Sequence, residues 1–233
     1  MPQSQNFVPS PATLLRFSLA SAIALLLAHL LDRWAYVHWA LPEFGGTNLE
    51  RMLGVLGFLP LWGVGTLVLI LCDWPLRLTH SLYAAISRGL LLLGSATAGG
   101  LAAEVFKLLF RRERPRVHAG EYVFRAWAER PFSTGGLALP SSHALVAFGA
   151  LALLARIFPR ARFVWYALGI GCAFSRVAAG AHFASDVVLS GVIGVMVAEL
   201  LWRWHLRRAT GVERVCQGKV SREVTVGASV KSA

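Results

Sequence analysis

Two histidines, one carboxylate, three cations and a pair of serines carry the chemical content of this 233-residue chain. His182 and Asp186 stand four apart, in a segment that opens with Ser175 and Arg176. On a helix that spacing puts both on one face. The carboxylate can then accept one ring N–H and leave the other nitrogen as nucleophile or base. The same spacing also fits a purely structural His–Asp pair.

Two further segments add to this inventory. Lys107 closes a long apolar run, and Arg114 precedes Pro115. A proline disfavours helix at the residue before it, so Lys107 belongs to a last helical turn and Arg114 to the exit loop. Glu104, one turn before Lys107, is placed to pair with it or with a neighbouring helix. Pro140, Ser141, Ser142 and His143 open another apolar run. Serines there predict a helix N-terminus, whose free N–H groups and hydroxyls suit an anion. Cations, hydroxyls and two histidines together suit phosphoryl transfer, in which negative oxygens are neutralised and a leaving oxygen is protonated. They do not suit a two-metal site, because Asp186 is the single carboxylate of the strongest segment.

The elements that must position these groups are membrane spans. Hydrophobic residues make up 56% of the chain and charged residues 15%, against about 25% charged in soluble domains. A span needs roughly 20 apolar residues, and six segments approach that length: 14–31, 52–72, 88–109, 143–158, 163–181 and 184–204. The fourth is short. The first is expected to be a retained helix, since residues 1–13 hold no Lys or Arg and no small-x-small cleavage site follows the run. Trp34, Trp39, Trp74, Trp202 and Trp204 fall at span ends, as interfacial belts do. Cys72, Cys172 and Cys216 are widely spaced and read as buried packing residues.

The formal net charge is +11. Long apolar runs argue against a nucleic-acid partner and leave anionic lipid or a phosphorylated substrate. Arg156, Arg160 and Arg162, with the basic tail from Arg207 onward, place one side in the cytoplasm by the positive-inside rule. Six spans put both termini there. The segment from Lys107 to Arg130 breaks the rule, with seven basic residues on the outer side, where a phosphate has to be held.

Lys107-x6-Arg114-Pro115, then Pro140-Ser141-Ser142-His143, then Ser175-Arg176-x5-His182-x3-Asp186 resemble, in order and internal spacing, the three-part signature of the type 2 phosphatidic acid phosphatases. The resemblance covers about residues 100–200. It implies that His182 attacks phosphorus and Asp186 orients its ring. His143 would protonate the departing oxygen and later activate water, while Lys107, Arg114, Ser141, Ser142 and Arg176 bind the phosphate. It implies no metal and no cofactor. Ser142 departs from the usual glycine of that pattern, and its Cβ would crowd the phosphate or alter substrate choice. Arg111, Arg112, Arg116, Arg125 and Arg130 are expected to form an electropositive mouth, with His118 in the same loop. His29, His38, His80 and His205 lie outside the cluster.

The expected protein is all-α, a six-transmembrane-helix bundle with its catalytic cluster at the outer ends of helices three to six. The membrane domain would cover 1–206 and a disordered basic cytoplasmic tail 207–233. The expected activity is hydrolysis of a membrane lipid phosphate: undecaprenyl diphosphate, phosphatidylglycerophosphate, phosphatidic acid or lipid A phosphate. The expected setting is the lipid bilayer of a bacterial inner membrane, with the site facing the periplasm. A phosphotransferase with the same cluster, or a non-enzymatic headgroup binder or transporter, are the alternatives.

Overall fold

The structure, a computed structural model, describes residues 10–231 apart from 42 and 80, with side chains through Arg208. Among these residues eight α-helices follow one another: α1 (Pro11–Trp39), α2 (Asn48–Val55), α3 (Leu59–Asp73), α4 (Leu76–Thr79), α5 (Leu82–Phe110), α6 (Ser142–Ile157), α7 (Arg162–Ala178) and α8 (Ala184–Lys231). No β-strand occurs among the described residues.

Among the described residues three helices are long and apolar enough to cross a membrane: α1, α5 and the Ala184–Arg208 part of α8. The predicted second span is broken into α2 and α3, bent by 55°. Pro60 in the first turn of α3 has no N–H to donate and closes off the preceding turn. α6 and α7 have 16 and 17 residues, short of the usual spanning length. Shortness suits α6, because eleven of its residues are buried among α5, α7 and α8. A helix enclosed by other helices has little lipid to match.

Close approach in this centre depends on glycine. A Cβ on Gly149 would lie 2.8 Å from the Ser95 carbonyl oxygen, and Ser95 Oγ donates to the Gly149 carbonyl at 2.7 Å. α1 is peripheral, with only Ala28, Asp32 and Ala35 buried on the face toward α8. Cys172 is buried as expected, whereas Cys72 is exposed, because α3 packs mainly against α5 and leaves its other face open. The side chain of Cys216 lies outside the described residues. α8 continues as helix to Lys231, where the sequence predicts a loose tail; no proline interrupts the segment. His80 also lies outside the described residues.

The loop between α5 and α6 begins with Arg111 in the left-handed region, φ 56°. Its guanidinium donates to the carbonyls of Arg125, Ala126, Glu129 and Pro131 and lies 4.8 Å from the Trp127 ring. Arg112 is buried as well. Arg125 donates to Glu113 Oε1 at 2.9 Å, and His118 contacts the other oxygen of that carboxylate at 2.5 Å. The expected mouth of five arginines is therefore corrected. Arg111, Arg112 and Arg125 turn inward to hold the loop, and Arg116 and Arg130 are the exposed ones. A chain leaving a helix through a left-handed residue directs successive arginines to different sides, which a run of basic letters does not reveal.

Candidate active site

Four elements bring the predicted residues to one end of the bundle: the end of α5, the start of α6, the end of α7 and the start of α8. His143, in the first turn of α6, lies within electrostatic reach of Arg176, His182, Lys107 and Arg114. The break in the second span meets it directly. A Cβ on Gly57 would stand 2.5 Å from His143 Cβ, so only glycine lets the α2–α3 turn lie against that histidine.

Lys107 is buried in the last turn of α5. Its Nζ donates to Glu104 Oε1 at 2.9 Å and to Ser142 Oγ, and Ser142 Oγ donates to the same carboxylate oxygen at 2.7 Å. The expected Glu104–Lys107 pair is present, and Ser142 joins it. Its hydroxyl faces Lys107, so the residue that departs from the family pattern braces a cation. Ser141 is the N-cap of α6 and accepts from the Ala144 N–H at 3.5 Å. Its own N–H donates to Ser190 Oγ at 2.9 Å, which fastens the start of α6 to α8. The Ser141 hydroxyl is thus engaged by its own helix.

Arg176, in the last turn of α7, donates to Glu50 Oε1 on α2 at 2.5 Å. Arg114 is fixed through its backbone N–H to the Gly136 carbonyl at 3.2 Å. Burial holds its guanidinium below the ordinary range, and the positive charges of Arg116 and Arg176 act in the same direction. Three guanidinium groups therefore crowd one corner.

His182 is 4% exposed, in the turn between α7 and α8. Its Nδ1 lies 2.9 Å from the Ala138 carbonyl oxygen and 3.7 Å from Asp186 Oδ2. A carbonyl can only accept, so the proton sits on Nδ1 and the Nε2 lone pair stays available. The backbone of Ala138 thus makes the orienting contact expected of Asp186. The carboxylate is committed elsewhere: Oδ2 accepts from the Phe183 N–H at 2.7 Å, capping α8 from its third position, and Oδ1 accepts from Arg112. Burial pushes the His182 ring below its ordinary pKa range; Asp186 opposes this, while Arg114 and Arg176 add to it.

Sequence reasoning missed Asp32, Glu50, the Ala138 carbonyl and the pairing of Arg112 with Asp186. Asp32 carried one signal, a carboxylate at the edge of the first apolar run. The others had none.

Known proteins resemble this chain in sequence and in fold. A lipid A 1-phosphatase from Rhizobium johnstonii (strain DSM 114642 / LMG 32736 / 3841) is 32% identical over 108 residues, which is 46% of this chain and 43% of that protein. The match thus spans less than half the length of that relative. The crystal structure of a transmembrane PAP2-type phosphatidylglycerolphosphate phosphatase from Bacillus subtilis superposes with a TM-score of 0.59 at 16% identity, over 83% of this chain and 96% of that one. At that identity the likeness speaks for the fold. The PAP2 superfamily model matches residues 88–210, from the second turn of α5 into α8 and over more than half of the sequence, and on that match the chain belongs to the PAP2 superfamily.

Proposed function

We propose that the chain is an integral membrane lipid phosphatase acting through a phosphohistidine on His182. The observation that carries this reading is the commitment of His182 Nδ1 to the Ala138 carbonyl, 2.9 Å away. It leaves Nε2 as a neutral nucleophile beside Arg114 and Arg176, whose charges reach the ring. Nε2 attacks phosphorus, the P–O bond to the lipid breaks, and His143 gives its proton to the departing oxygen. Water then attacks the phosphohistidine, His143 takes a proton from that water, the N–P bond breaks and phosphate leaves. Lys107, Arg114 and Arg176, with the start of α6 at Ser141 and Ser142, neutralise the non-bridging oxygens.

The substrate is a membrane lipid phosphomonoester or diphosphate: undecaprenyl diphosphate, phosphatidylglycerophosphate, phosphatidic acid or lipid A phosphate. The name of the Rhizobium relative favours the last of these, and the cationic cluster suits all four. An apolar groove of about 420 Å³ starts beside Val177 and Ala184, close to Arg176 and His182, and continues past Phe148, Ile170 and Val195. It suits an acyl chain whose phosphate sits at the cluster. Joining α2 and α3 as one crossing gives four spans; with the shorter α6 and α7 also crossing, the reading has six, both termini cytoplasmic, the cluster at the outer face and a bacterial inner membrane as the setting.

Phosphate release from these four lipids in detergent tests the reading. Turnover of at least one, lost in His182→Ala and His143→Ala, is expected. Turnover of soluble phosphate esters alone would overturn the lipid assignment. Full activity in either variant would overturn the mechanism. Transfer to a second lipid without any release to water would turn the assignment to a phosphotransferase. Binding without turnover would turn it to a headgroup binder.

A further inference from the structure

We propose that Asp32, on α1, is a positioning residue for the His182–Asp186 pair, acting through Arg112 and Ser185. It rests on the phosphohistidine reading above. Asp32 lies outside the segment the PAP2 model matches, residues 88–210, and α1 is otherwise mostly exposed. Yet its carboxylate is 0% exposed, and a buried carboxylate persists only with partners.

Apart from His29 on α1 itself, whose Nδ1 is 3.8 Å from Oδ2, those partners converge on the site. Oδ1 accepts from the Ser185 N–H at 2.7 Å, and Oδ2 accepts from Ser185 Oγ and from Tyr122 OH, the latter at 2.8 Å. Arg112 Nη1 is 3.9 Å from Oδ2. Arg112 Nη2 donates to Ser185 Oγ at 2.9 Å and to Asp186 Oδ1. One guanidinium is therefore shared between two buried carboxylates, and Ser185, adjacent to Asp186, is held by both sides of the share. Arg112 is also fixed between the rings of Tyr122 and Phe183, 5.2 and 5.0 Å from their centroids.

The charge balance gives Asp32 its effect. Two carboxylates and one guanidinium leave one net negative charge within the buried cluster, on the Nδ1 side of His182. When Nε2 bonds to phosphorus, positive charge builds on the ring, and that surplus stabilises it. Without the Asp32 charge, Arg112 pairs with Asp186 alone and the surplus disappears. Ground-state phosphate binding, at Lys107, Arg114 and Arg176, is untouched.

The test is steady-state kinetics of the full-length protein in detergent, on whichever lipid of the four the wild type turns over. Asp32→Asn keeps the shape and an acceptor for the Ser185 N–H. Its expected kcat is about 10- to 100-fold lower, the range seen when an outer-shell partner is lost, with KM within about twofold. Arg112→Lys keeps the charge and loses the fork, and Asp32→Asn added to it should lower kcat by far less than in the wild-type background. Additive losses, a rise in KM with kcat kept, or a wild-type kcat in folded Asp32→Asn would each overturn the proposal. If Asp32→Asn does not fold, Tyr122→Phe decides: a several-fold drop in kcat supports the relay, and an unchanged kcat sinks it. A wild-type protein that releases no phosphate from any lipid defeats the functional reading and the proposal with it. An active wild type, silenced by His182→Ala but indifferent to Asp32→Asn, defeats only the proposal.

Discussion

Ser142 Oγ and Lys107 Nζ are hydrogen-bonded to each other across the α5–α6 contact, and both reach the same oxygen of Glu104. A cation proposed to hold phosphate is thereby fixed in advance by a residue where the family pattern has glycine. The Ser142 hydroxyl turns toward the lysine and Glu104.

Ser142→Gly removes both bonds. Each is worth about 1 kcal/mol net, so a loss of about 1–2 kcal/mol is expected in thermal melting. Lys107 keeps its bond to Glu104 but loses the brace from Ser142, and KM should rise a few-fold while kcat changes less. Ser142→Ala should behave similarly, which separates the lost hydroxyl from the backbone freedom of glycine. Unchanged melting in both variants would remove the brace.

The pH dependence follows from His182. An attacking imidazole must be neutral, and histidine ordinarily titrates near about 6.5. Burial lowers the pKa of His182, ahead of the opposing effect of Asp186, so the ring keeps its neutral form to lower pH than an ordinary histidine. The acid limb of kcat/KM should therefore fall below pH 6.5. Arg114 lowers the same value, so Arg114→Gln should move the limb upward. The linked stability has the same sign: it is fully present above the ordinary value and is lost as pH falls through the native one. An acid limb above pH 7, with no response to Arg114→Gln, would contradict the assignment.

Much of the site was legible because its chemistry is local. Lys107 and Arg114 flank a helix end, Ser141 and Ser142 open a helix, and His182 and Asp186 are four apart, so each fragment announces itself within ten residues. The long apolar runs likewise announced α1, α5 and α8. What stayed hidden depends on contacts between distant segments. Asp32 meets Ser185 across 153 residues and Glu50 meets Arg176 across 126, with no pattern in either segment to predict the partner. The inward turn of Arg111 and Arg112 was hidden for another reason: direction depends on one backbone angle, and basic residues look alike whether they face water or carbonyls.

Arg111 supplies the stability prediction for the outer loop. Its guanidinium gathers four carbonyls between Arg125 and Pro131. Arg111→Lys keeps the charge but not the planar fork, and losing most of those bonds should cost about 3 kcal/mol locally. Faster chymotryptic cleavage near Trp127, at unchanged melting of the helical bundle, is the expected readout. A cleavage rate equal to wild type would show that the loop is held by other contacts.

Gly57 makes the sharpest geometric prediction. A Cβ there would stand 2.5 Å from His143 Cβ, 2.6 Å from its Cα and 2.7 Å from its carbonyl oxygen. Backbone and Cβ atoms cannot swing aside as a flexible side-chain tip can, so Gly57→Ala has to displace either the start of α6 or the α2–α3 turn. The first shifts His143; the second shifts Glu50, the partner of Arg176. Misplacement by about 1 Å lowers rates by as much as about 100-fold, so kcat should fall by at least about tenfold, with a lower melting temperature. Gly63→Ala is the matched control, since its Cβ meets nothing within 4 Å, and alanine favours the α3 helix by up to about 1 kcal/mol. It should retain full activity and melt no lower than wild type. Equal activity in Gly57→Ala and Gly63→Ala would mean that the contact between the broken second span and His143 has no part in placing that histidine.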